Sequence, residues 1–179
     1  MIAVDTNVLV YAHRAEVPHH AAARTLLVQL ATGSSPWAIP WPCLYELIKV
    51  VTHPRVFKPP TSIEHAMAVV ESLAASPSVV LLGQGSAHLG HLRRAVDDGQ
   101  PAGSLVHDAH IVALALEHGV TELLSSDRDF RRFRGIVVRD PFAAPRASEP
   151  GRAYAATSRR SPVSEARISR RARDRRADR

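Results

Sequence analysis

Short unbroken apolar runs alternate along the chain with longer stretches in which apolar positions recur every three or four residues. Residues 2–4 form one such run, closed by Asp5 and followed by Thr6 and Asn7, the pattern of a strand buried on both faces that stops at a polar loop. Ala22, Leu26, Leu27 and Leu30 predict a helix over 18–31 with Gly33 as its stop. Residues 37–40 read as extended, and 42–53 as a helix entered near Pro42 and ended before Pro54. Thr61 and Glu64 have capping-box spacing and predict a helix to residue 75. A second β-branched run at 79–82 lies between Pro77 and Gly83, and Ser86 opens a helix to residue 98. After a loop at 99–103, residues 104–118 carry the clearest helical pattern, with Ser104 placed to cap it and Gly119 to end it. Two further strands are expected at 122–125 and 136–138, separated by a polar turn. Strands alternating with helices predict an α/β fold, a mainly parallel sheet covered on both faces by helices.

Composition divides the chain in two. Its 179 residues carry a formal charge of +6, but residues 146–179 hold 11 arginines against 4 acids, a charge of +7, which leaves −1 for the rest. A body of 1–145 is the length of one domain, and the Arg-, Ala- and Ser-rich segment 146–179 has too few bulky apolar residues to offset its ordering entropy. That tail is expected to be disordered. Apolar runs are too short to span a membrane, and the opening run lacks the basic flank of a signal peptide, so a cytoplasmic protein is expected. The single cysteine, Cys43, excludes an internal disulfide and a thiolate zinc cluster and reads as a small core residue.

Four carboxylates occupy unusual places. Asp5 follows a buried strand, at the end where ligands gather in open α/β sheets, although a carboxylate there also serves as a helix cap. Glu46 lies on the apolar face of its helix, three residues after Cys43 and four before Val50. Asp108 interrupts the stripe Leu105, Ala109, Val112, Leu116 in the same manner. Asp127 repeats the strand-end position of Asp5, with Asp129 two residues on. His107 and His110 flank Asp108 off its face and read as surface or packing residues. Ionised carboxylates gathered near 4 Å would repel by about 4 kcal/mol per pair at an effective dielectric of 20, so convergence calls for a cation. Oxygen donors without cysteine or suitably spaced histidine favour Mg²⁺, with Mn²⁺ as a substitute, over zinc.

With these residues in place, the chain resembles the PIN-domain ribonucleases, most closely the VapC-type toxins of bacterial toxin–antitoxin modules. MIAVDTNVLVYA is similar to the family's opening strand with its D-x-N, PCLYELIKVV to its second acidic helix, HDAHIVALALEHGV to its third acidic segment, and LLSSDRDFRRF to its closing T/S-x-D-x-D-F element. The resemblance covers roughly the first 140 residues and implies a PIN-like fold with a four- or five-stranded mainly parallel sheet flanked by helices, and a Mg²⁺-dependent endoribonuclease. It implies that Asp5, Glu46, Asp108 and Asp127 form a catalytic, metal-binding acid site, with Asp5 and Asp108 the direct ligands. Asn7 and Ser126 would orient those carboxylates, and Asp129 would be a fifth acid. It further implies an RNA substrate cut to 5′-phosphate and 3′-hydroxyl ends, a homodimer, and a cognate antitoxin that holds the enzyme inactive. A basic tail is a departure from the family pattern.

Two other readings compete. A PIN-like nuclease of RNA maturation or DNA processing would use the same chemistry on another substrate, whereas a catalytically silent RNA-binding module would rely on the basic tail. A haloacid-dehalogenase-like phosphatase also begins with a strand and an Asp, but needs a second Asp where this chain has Asn7.

Overall fold

The computed structural model describes residues 1–143. The tail expected at 146–179 lies outside the described residues. Five strands, β1 (Ile2–Val4), β2 (Trp37–Pro40), β3 (Val79–Leu82), β4 (Glu122–Leu124) and β5 (Val137–Arg139), form one sheet in the order β3-β2-β1-β4-β5. Every pairing is parallel. Six helices flank it: α1 (Thr6–His13), α2 (His20–Thr32), α3 (Trp41–Val51), α4 (Ile63–Ala74), α5 (His88–Gly99) and α6 (Leu105–Glu117), with a 3-10 turn at Arg128–Arg132. The α/β expectation therefore holds.

Ala3, Val4, Leu123, Leu124 and all of β2 are buried, as expected of central strands covered on both faces. The order runs outward from β1 to β3 and then restarts on the other side of β1 with β4. The crevice at the carboxyl ends of β1 and β4 is thus the topological switch point, the usual ligand position in such sheets. Val4 pairs with Leu124, so Asp5 and Ser125 leave the sheet side by side.

Local departures from the sequence pattern have identifiable causes. Thr6 and Asn7 do not form a loop, because Asp5 takes an extended conformation and its Oδ1 accepts the Thr6 N–H at 2.7 Å, starting α1 at once. Burial of Val8, Leu9, Val10 and Tyr11 then holds that helix in the core. The cap of α4 is Ser62, which accepts from the His65 N–H, while Thr61 turns inward to meet His13 and Arg14. Ser104 is helical and makes no side-chain cap. Gly119, at φ +67°, ends α6 as expected: its N–H reaches Leu116 O and the Val120 N–H reaches Ala115 O, the two bonds of a Schellman closure.

Candidate active site

Asp5 is buried, and its carboxylate is held from several directions. The Thr6 N–H donates to Oδ1, while the Asn7 side-chain amide and the Ser125 hydroxyl both donate to Oδ2 at 2.7 Å. Asn7 Nδ2 also stands 2.9 Å from Ser125 Oγ, and that oxygen accepts the Asp127 N–H at 3.0 Å. This lattice joins the first turn of α1 to the end of β4 and fixes both the rotamer and the plane of the Asp5 carboxylate.

Glu46, half-buried on α3, accepts a hydrogen bond from the Thr6 hydroxyl at 3.0 Å. His107 Nε2 lies 3.7 Å from the same Glu46 oxygen. Asp108 follows in α6 with 1% exposure, so the carboxylate is carried into the core as its place in the apolar stripe predicts. Asp127 caps the 3-10 turn, its Oδ1 accepting the Asp129 N–H at 2.9 Å, and the Asp129 carboxylate faces Arg132 at 3.4 Å.

A continuous path of contacts and neighbours therefore links Asp127, Ser125, Asp5, Thr6, Glu46, His107 and Asp108. Among the described residues, no three His, Cys, Asp or Glu side chains are disposed as they stand to hold a metal ion. The donors are nevertheless all oxygen, which matches Mg²⁺: that ion typically takes one or two protein carboxylates and completes its shell with water and substrate phosphate. Cys43 Sγ lies 3.9 Å from Asp5 Oδ1, but burial, reinforced by the Asp5 charge, pushes its thiol well above the usual range, so it offers no thiolate.

Three contributors differ from the sequence reading. The hydroxyl on Asp5 comes from Ser125, whereas Ser126 takes part through its backbone N–H, 3.4 Å from Asn7 Oδ1. Strand register is the signal for this, since pairing of Val4 with Leu124 sets Ser125 and not Ser126 beside Asp5. Thr6 was legible only as a polar neighbour, yet it ties Glu46 to the Asp5 turn. His107 is partly exposed, as its place off the apolar stripe suggested, but its Nε2 also stands 3.7 Å from Glu46. His110 meets Gln84 at 3.2 Å, and burial followed by the nearby His88 and His107 lowers its pKa.

Residues 2–136 match the PIN domain family. Ribonuclease VapC43 of Mycobacterium tuberculosis is 43% identical over 141 residues, covering 79% of this chain and 95% of that protein. Ribonuclease VapC48 of the same species is 38% identical over 139 residues, covering 78% and 96%. Among solved structures, VapBC-1 from nontypeable Haemophilus influenzae has a TM-score of 0.57 at 20% identity, covering 79% of this chain and 98% of that one. The Mycobacterium tuberculosis sarcin-ricin-loop-cleaving toxin VapC20 has a TM-score of 0.54 at 18% identity, covering 76% and 99%. These two structural likenesses speak to the fold.

Proposed function

This chain belongs to the PIN-domain family, among the VapC ribonucleases, and from that premise we propose that it is a Mg²⁺-dependent endoribonuclease and the toxin of a toxin–antitoxin pair. The observation that carries the reading is the buried Asp5 carboxylate at the sheet's switch point, immobilised by Thr6, Asn7 and Ser125. The Thr6 N–H alone would serve a helix cap, and the partners on the second oxygen go further by fixing the plane of the carboxylate. Convergence of an amide and a hydroxyl on its second oxygen is the arrangement that orients a metal ligand.

Asp5 and Asp108 would hold the ion, with Glu46 and Asp127 as further acids of the site. When bound, Mg²⁺ supplies an acidified water and offsets charge on the scissile phosphate and the leaving oxygen. Asn7 and Ser125 keep the Asp5 oxygens aimed. Glu46, fixed by Thr6 and close to His107, is placed to accept a proton from water, and His107 is placed to steady the charge on Glu46. The products are 5′-phosphate and 3′-hydroxyl ends. RNA is the substrate, the enzyme acts as a homodimer, and an antitoxin chain masks the acids until released. Among the described residues, no helix is long and apolar enough to cross a membrane.

The test compares RNA cleavage by the wild type, Asp5→Asn and Asp108→Asn with Mg²⁺, with Mn²⁺ and after chelation. Cleavage should require the ion and fall by orders of magnitude in both variants. Equal activity in all three proteins would sink the reading, and cleavage of DNA but not RNA would favour the DNA-processing alternative.

A further inference from the structure

A cavity of about 620 Å³ opens between the β3–α5 connection and the faces of α5 and α6, within the size range of small-molecule sites. It adjoins the acid site, because His107 lines it and also stands 3.7 Å from Glu46. Its inner wall holds His88, which is 7% exposed. His88 Nδ1 lies 3.2 Å from Glu117 Oε2, whereas Nε2 is buried with no hydrogen-bond partner among the described residues. A buried ring nitrogen left unmatched is costly unless a ligand completes it.

Burial raises the pKa of the Glu117 carboxyl, but the N–H groups of Gly85 and Ala87 and the His88 ring outweigh it and hold the carboxyl below its ordinary value. An ionised carboxylate only accepts, so Nδ1 carries a hydrogen, and in that tautomer of the uncharged ring Nε2 presents a lone pair. Gln84, meanwhile, donates one amide hydrogen to His110 Nε2 at 3.2 Å. Leu89, Leu92 and Val106 supply apolar walls, and the His88 and His110 rings meet edge to face with centroids 5.1 Å apart. Among the described residues that line it none is Lys, Arg, Asp or Glu, so the cavity offers a phosphate no fixed positive charge, and its three histidines are not grouped to hold a metal ion. A flat, neutral heteroaromatic group bearing an N–H donor suits it.

We propose that this cavity receives one base of the RNA substrate next to the scissile bond, and that His88 Nε2 selects a base whose exocyclic amino group donates to it. The inference rests on the ribonuclease reading for the origin of the base, though not for the recognition chemistry. Trp41 and Tyr45 give the strand a way in: both are exposed, they stack with centroids 5.7 Å apart, and Tyr45 immediately precedes Glu46. Trp41 also borders Gly83, beside the cavity's Gln84, so a base could stack on the pair while its neighbour enters the cavity.

The experiment uses the full chain with ¹⁵N-labelled histidine and follows the His88 ring signals during titration with nucleoside 5′-monophosphates. Cytidine and uridine monophosphates, and adenosine and inosine monophosphates, are pairs that differ at the exocyclic amino position. The amino-bearing member should perturb His88 and bind about tenfold more tightly than its mate. Gly85→Ala places a methyl 2.6 Å from Glu117 Oε1, forcing that flexible side chain aside, and should erase the discrimination without disturbing the core; Glu117→Gln should do the same. Equal binding within each pair, or no response at His88, overturns the proposal. A second arm sequences the ends cut from a randomised RNA: one position flanking the cut should disfavour uridine, and Gly85→Ala should relax that preference. Nucleotide binding without any such preference in an RNA that is cut makes the cavity a site for free nucleotides and overturns the substrate assignment. Nucleotide discrimination at His88 with no RNA cleavage upholds the recognition chemistry while the ribonuclease reading fails. Cleavage with a silent His88 does the reverse. If Leu89→Glu converts a dimer to a monomer by light scattering and His88 is silent in both forms, the cavity is a subunit contact and the proposal fails.

Discussion

Ser125 donates its hydroxyl to Asp5 Oδ2 at 2.7 Å although the two residues stand 120 positions apart, and the same oxygen accepts the Asp127 N–H. One side chain therefore connects the opening strand, the amide of Asn7 and the acidic turn after β4. Ser125→Ala removes a hydrogen bond from the carboxylate and leaves the Asp127 N–H without its acceptor. Activity with Mg²⁺ should fall about 10- to 100-fold, the usual effect of losing a group that orients a metal ligand. Ser126→Ala keeps the backbone N–H that faces Asn7 and the Ser125 hydroxyl on Asp5, and should change activity less than threefold. Steady-state cleavage of one RNA by the two variants checks this, and equal losses would show that the hydroxyl of Ser125 has no special part.

The sequence pattern reached the strands more securely than the site's connections. Ile2–Val4 and Val79–Leu82 are short apolar runs with polar or Gly/Pro boundaries, and their limits follow from period and punctuation alone. Asp108 was legible because a charge inside an apolar stripe is conspicuous. His107 was not, since whether a residue beside the stripe meets solvent or Glu46 depends on where α3 packs against α6. The roles of Ser125 and Ser126 were likewise separable only through pairing register, because in a strand a one-residue shift turns every side chain to the other face. Caps failed for a related reason: Thr61 has capping-box spacing, but the demand of Arg14 and His13 for its hydroxyl turns it inward and leaves Ser62 to cap α4.

Two glycines of α5 should respond oppositely to a methyl group. At Gly99 a Cβ would stand 2.2 Å from the buried ring of Phe133, which docks the acidic turn's far end onto this helix. Gly99→Ala should cost about 1–3 kcal/mol by overpacking. At Gly90 a Cβ would meet nothing within 4 Å, and the position is exposed. Gly90→Ala should gain about 0.5–1 kcal/mol from reduced backbone entropy in the unfolded chain. Urea unfolding midpoints test the pair, and a shift in the same direction for both would contradict the packing argument.

Cys43 should be chemically silent in the folded protein. It is fully buried, and burial together with the Asp5 charge pushes its thiol well above the ordinary value, so the reactive thiolate is scarce. Alkylation in native buffer should proceed only as fast as the chain opens, and should become rapid in denaturant. Fast native labelling, followed by mass spectrometry, would mean that the wall between Cys43 and solvent beside Asp5 is open.

Stability should fall on mild acidification before Glu16 and Glu117 titrate. Burial, followed by the charges of His65 and Arg14, lowers the pKa of His13 below 6.5, and burial lowers that of His110 in the same sense. As pH drops through 6.5, the unfolded chain takes up these protons while the folded chain resists them. Unfolding is therefore favoured increasingly until the folded values are passed. Glu16 and Glu117 act in a separate window, because their depressed pKa values contribute stability that is present above 4.5 and lost only below it. Urea midpoints measured from pH 7.5 to pH 3.5 should thus decline, and His13→Gln should shallow the slope above pH 5 while leaving the loss below pH 4.5 in place. A slope identical in wild type and His13→Gln would remove His13 as a source of the acid sensitivity.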